Sequence, residues 1–119
     1  MAKYDVRATL EQMREFAAAV LEGARAGRER YDAERPVQVW IEHHLILLGE
    51  ATNRIRRTLE ASAPDVPWEA VVGMRNVIVH GYDQLKRDRV WSAAVDRVPE
   101  LLRAVDVLLA AGRETADDQ

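Results

Sequence analysis

Between Ala70 and Tyr82 the chain sets one guanidinium, one carboxamide and one imidazole among aliphatic side chains: Arg75, Asn76 and His80 beside Val71, Val72, Met74, Val77, Ile78 and Val79. Arg75 is the one formal charge in that stretch. An arginine with apolar neighbours is either paired in a partly dry site or extended along the apolar surface, and an anion would relieve it. Histidine changes charge near neutrality and can both take and return a proton. These residue types could therefore hold an anion and move a proton beside it. The plainer reading pairs Arg75 with a carboxylate, bonds Asn76 to a carbonyl and matches His80 to the helix dipole. Spacing alone leaves both open.

The element carrying these groups is predicted to be a short helix opened by Pro67 and stopped by Gly81. On a wheel of about 100° per residue, Asn76 and His80 share the polar arc, with Gly73 leaving room beside them, and Arg75 lies about 100° from Asn76. Apolar side chains surround most of the remaining axis, as in a helix that is central or at an interface. Four further segments would position it. Apolar residues three or four apart predict an amphipathic helix from Asp5 to about Ala26, and a longer one from Pro36 to Ala61. Gly27 to Asp32 reads as a turn or frayed joint, and Tyr82 to Arg87 as a polar loop. Asp88 can cap a fourth helix through Val90 and Val95, and Pro99 starts or kinks a last one. No strand-like alternation or repeat is present. The expected architecture is all-α, an antiparallel bundle of four to five helices, as one domain over 1–112 with a frayed tail over 113–119.

Composition narrows the function classes. The 119 residues are 48% hydrophobic and 31% charged, the balance of a folded chain with a single core. Cysteine is absent, which removes disulfide frameworks, thiolate metal sites and cysteine nucleophiles. No segment approaches the roughly 20 apolar residues that span a bilayer, and Met1 to Asp5 holds no signal core, so the default expectation is a cytoplasmic protein without a membrane partner. The net charge of −3 does not favour a polyanion. Any contact with one would depend on local clusters, Arg54, Arg56 and Arg57 or Lys86, Arg87 and Arg89.

The run Arg75-Asn76-Val77-Ile78-Val79-His80-Gly81-Tyr82 resembles the Arg, four residues, His, one residue, Tyr signature of HepT-like toxins in the HEPN superfamily. Pro67 to Met74, Leu48-Gly49-Glu50-Ala51, Val90-Trp91 and Val98-Pro99-Glu100-Leu101 resemble flanking family segments, so the likeness covers nearly the whole chain. It implies a bundle that forms a homodimer with two Arg/His motifs in one cleft, and metal-independent endoribonuclease activity without a cofactor. Arg75 would clamp the RNA phosphate and His80 would supply acid or base, with Asn76 and Glu50 in support. It further implies that Tyr82 receives adenylate from an MntA-like nucleotidyltransferase antitoxin. Without the resemblance Tyr82 is an ordinary loop tyrosine. The alternative function is a non-catalytic nucleotide- or substrate-binding subunit of a nucleotidyltransferase complex.

Three other features have plain readings. His44 lies in the apolar arc of the second helix and is expected as a hydrogen-bonded core residue; it makes a poor metal pair with His43. Glu50 and Arg54, four apart, suit an ion pair, with a reach from Glu50 to Arg75 as the alternative. Trp40, Trp68 and Trp91 sit at core spacings.

Overall fold

The computed structural model describes residues 5–80 and 84–117, with side chains for 5–80 and 87–112. Every regular element among them is helical: α1 (Val6–Ala24), α2 (Arg28–Ala33), α3 (Arg35–Arg54), α4 (Arg56–Ser62), α5 (Trp68–Val79), α6 (Gln84–Ser92), a π turn (Ala93–Arg97) and α7 (Val98–Asp117). Only Ile55 separates α3 from α4, and α6 runs through the π turn into α7, so the segments group as four long rods plus the short α2.

Local chemistry accounts for the ends and breaks. Asp5 caps α1 by accepting from the Ala8 N–H at 3.0 Å. Gly27, at φ 95°, makes the reversal into α2 that a side chain would resist. The segment around it is not the expected frayed joint. Tyr31 is fully buried in α2 and stacks on Trp91 at 5.3 Å, which fixes this single turn. The expected second helix is interrupted at Ile55 (φ −119°, ψ 24°), one turn after Thr52 Oγ1 donates back to the Leu48 carbonyl at 2.7 Å, a bond that competes with the regular ladder. Pro99 lacks an N–H and its ring would crowd the Val95 carbonyl; the π turn just before it absorbs that conflict, with the Val98 N–H reaching back five residues to Ala93. The expected polar loop over Tyr82 to Arg87 is helical over 84–87. Helix α6 begins at Gln84, and Asp88 lies inside it rather than capping it, bonded to Arg28 on α2.

The rods run antiparallel. Arg14 meets Asp106 at 3.0 Å while Arg7 reaches the Leu109 carbonyl at 3.4 Å, so α1 ascends as α7 descends. Glu50 meets Arg75 at 3.5 Å and Arg56 meets Glu69 at 3.1 Å, which orders α3–α4 against α5 in the same way. Met13, Val20, Leu48, Leu59, Trp68 and Val105 fill the centre. Trp68 is held by its indole N–H on the Ala63 carbonyl at 2.9 Å, which pins the start of α5. Of the other tryptophans, Trp91 is partly buried, whereas Trp40 is 44% exposed, its N–H on the Ala19 carbonyl. His44 is also not a core residue: it is half-buried, bonded to the Trp40 carbonyl at 2.7 Å and packed on the Trp40 ring. Among the described residues no helix is long and apolar enough to cross a membrane.

Candidate functional site

Helix α5 carries the candidate groups, and its inner face is anchored by Trp68, Val71 and Ile78. Its approach to α3 is unusually close at one point. A Cβ on Gly49 would lie 2.7 Å from the Arg75 Cβ and 3.2 Å from the Val71 carbonyl oxygen, so only glycine permits this crossing. The contact brings the root of Arg75 against α3 and lets the next residue, Glu50, reach the guanidinium.

Arg75 Nε lies 3.5 Å from Glu50 Oε1, and Nη1 donates to Asn76 Oδ1 at 3.1 Å. The Glu50 contact is an ion pair without hydrogen-bond geometry, and Nε is buried with no hydrogen-bond partner among the described residues. The guanidinium is thus oriented on one side by a carboxylate and on another by a carboxamide, while most of its five donors are unspent among the described residues. The unspent donors on the half-exposed side of this fork are what an incoming oxyanion would satisfy. Of the two partners considered for Glu50, the structure places it on Arg75.

His80 is the C-cap of α5 and is exposed; its N–H bonds to the Asn76 carbonyl at 3.1 Å. It lies five positions after Arg75, so the two leave the helix about 140° apart. Arg75, Asn76 and Glu50 are therefore gathered by direct contact, whereas His80 stands at the neighbouring edge. Tyr82 lies outside the described residues. No group of three or more His, Asp or Glu side chains among the described residues could hold a metal ion.

The comparison with family models matches residues 6–108 to the family described as HepT-like, Ribonuclease HepT-like. The chain belongs to that family. A Methanocaldococcus jannaschii protein named "Putative RNase MJ1380" is 27% identical over 109 residues, covering 91% of this chain and all of that protein. A second protein of that organism, "Putative RNase MJ1216", is 22% identical over 92% of this chain and 91% of its own length. "Probable ribonuclease HepT" of Thermococcus cleftensis is 22% identical over 82% of this chain and 83% of its own length. No solved structure gives a significant match. The HepT-like match spans α1 through most of α7 and so includes Glu50, Arg75, Asn76 and His80.

Two features, one at the site and one away from it, were not legible in the sequence. Gly49 showed only as part of a family-like segment, although a glycine inside the core stripe of a helix is itself a sign of close approach. Tyr31, read within a polar turn, is buried with its hydroxyl unbonded, and burial pushes its phenol above the ordinary range.

Proposed function

We propose that this HepT-like chain is the toxin of a toxin–antitoxin pair, an endoribonuclease that cleaves RNA without a metal through Arg75 and His80. The observation that carries this reading is the half-exposed Arg75 guanidinium, oriented by Glu50 and Asn76 with most of its donors unspent among the described residues, near an exposed histidine. Its relatives' names point to the same substrate class. In the proposed reaction a base removes the proton of the ribose 2′-hydroxyl, the 2′-oxygen bonds to phosphorus, and the bond to the 5′-oxygen breaks as an acid protonates it. The products are a 2′,3′-cyclic phosphate and a 5′-hydroxyl. Arg75 holds the non-bridging oxygens, where a planar fork stabilises the charge that builds up.

The 140° between Arg75 and His80 favours a homodimer in which each phosphate uses an arginine of one copy and a histidine of the other. Val79 is 53% exposed and Val72 is only half-buried, giving α5 an apolar strip for such a partner. Control is assigned to Tyr82, two residues beyond His80. Its hydroxyl attacks the α-phosphorus of ATP on a nucleotidyltransferase antitoxin, pyrophosphate leaves, and the attached adenylate competes for Arg75 as a tethered anion.

Incubation of the purified protein with total RNA in excess chelator tests the activity. The expected result is fragmentation with cyclic phosphate ends and none in a 2′-deoxy substrate. Intact RNA would favour the non-catalytic subunit.

A further inference from the structure

Gly73 is a glycine that the fold does not require. It lies inside α5, where glycine weakens a helix relative to alanine, and its φ is not positive. A Cβ built on it meets nothing within 4 Å, in contrast to the crowded Gly49. The open space belongs to a groove of about 510 Å³ between α5 and the α6–π-turn rod. Met74 and buried Ala93 give it an apolar floor, while Ala70, Arg89, Ser92, Asp96 and Arg97 stand exposed along its rim.

The rim is more cationic than its residue count suggests. Asp88, which also borders the groove, is engaged by Arg28. Neither Arg89 nor Arg97 has an ion-pair partner among the described residues, and Asp96 is the one carboxylate left beside them. An apolar floor under two guanidinium planes suits a nucleobase with its attached phosphate, because bases stack on flat arginine as well as on aromatic rings. The π turn that supplies Asp96 and Arg97 is a kind of bulge that recurs at functional sites.

Register ties the groove to the proposed cleavage site. Gly73 and His80, seven residues apart, face nearly the same side of α5 and lie about 10 Å apart along its axis. Strand passing His80 along the helix would enter the groove over Gly73. The exposed apolar strip of Val72 and Val79 lies about 100° further round, so the groove is separate from the surface suited to a second copy. Charged side chains at its rim also differ from the charge-depleted core of a protein interface.

We propose that this groove is a nucleotide subsite for single-stranded RNA, seating a residue of the strand next to the phosphate that His80 acts on. The proposal rests on the ribonuclease reading for its substrate but not for its geometry. Gly73→Leu projects a side chain into the groove from a position where a Cβ meets nothing within 4 Å, and Arg97→Glu reverses one rim charge; Gly73→Ala serves as the folding control, and circular dichroism checks all three. Each is tested with a single-stranded 2′-O-methyl oligoribonucleotide by fluorescence anisotropy, with its unmodified counterpart by single-turnover cleavage, and by solution mass.

The expected result is binding weakened about tenfold or more by Gly73→Leu and by Arg97→Glu, with unchanged mass and a saturating cleavage rate within about twofold of wild type. Wild-type affinity in both variants overturns the subsite, and a change of mass with unaltered RNA affinity gives the face to a second copy instead. If the unsubstituted protein binds the oligonucleotide but cuts nothing, the ribonuclease reading fails while loss of binding in the variants still supports the groove. If it binds no RNA, both fall. Should Gly73→Leu misfold, Arg97→Glu decides alone.

Discussion

A methyl group on Gly49 would stand 2.7 Å from the Cβ of Arg75, closer than two such carbons can sit. The position of the guanidinium is therefore set by an atom that α3 lacks. Gly49→Ala must push α5 outward by some tenths of an ångström and tilt Arg75 from Glu50. The expected cost is about 1–3 kcal/mol of stability from overpacking. Cleavage should fall by about tenfold to a hundredfold at saturating RNA, because misplacement of a clamp is felt in the transition state. Denaturant midpoints and single-turnover rates measure the two effects, and a wild-type rate would remove Gly49 as a positioning residue.

Glu50→Gln separates orientation from stability. The Glu50–Arg75 pair is long at 3.5 Å and the two side chains are 37% and 40% exposed, so solvent screens it. Its loss should move stability by less than about 1 kcal/mol. The cleavage rate should nevertheless drop by roughly tenfold, since Arg75 is then steered by Asn76 alone. Equal, proportionate losses in midpoint and rate would make Glu50 merely structural.

Tyr31 gives a prediction in pH. Its hydroxyl is buried without a partner, and desolvation raises the phenol well above its ordinary value, with Glu42 adding to the shift. The folded state thus keeps the proton that the unfolded state releases, so stability is intact below about pH 10 and declines above it, by up to about 1.4 kcal/mol per pH unit. Tyr31→Phe keeps the stacking on Trp91 and removes both the orphan hydroxyl and this alkaline loss. Urea titrations at neutral and alkaline pH should show the variant at least as stable as wild type at pH 7, with a gap that widens above pH 10. A parallel decline in both proteins would contradict the assignment.

Much of this arrangement could be read from residue spacing. The stripes that wrote α1 and α7 are amphipathic at helical period, α5 stood out as apolar around most of its axis, and the isolated charge of Arg75 marked the site before any neighbour was known. What could not be read were effects with long sequence separation. Glu50 had a local partner in Arg54, four residues on, and only the crossing of α3 and α5 gives it to Arg75. The segment around Tyr31 is polar in composition, yet one ring placed beneath Trp91 makes it a helix. His44 fell in the apolar arc, but its ring bonds the Trp40 carbonyl and packs on the Trp40 ring near the surface, a contact that spacing did not reveal.

Tyr82→Phe tests the proposed control. The variant should fold and retain at least part of its cleavage activity while resisting inactivation by the cognate nucleotidyltransferase with ATP. Intact mass spectrometry should find adenylate on the wild type only; a mass shift that persists in the variant would place the switch elsewhere.

Cleavage of a labelled single-stranded RNA in excess chelator, compared among wild type, His80→Ala and Arg75→Lys, tests the central claim most directly. His80 is exposed at the end of α5 and Arg75→Lys keeps the charge, so both variants should fold as wild type. The account predicts a fall of at least about a hundredfold in rate for each, through loss of proton transfer in one and of the planar donor fork in the other. A folded His80→Ala protein that cuts at the wild-type rate would contradict it.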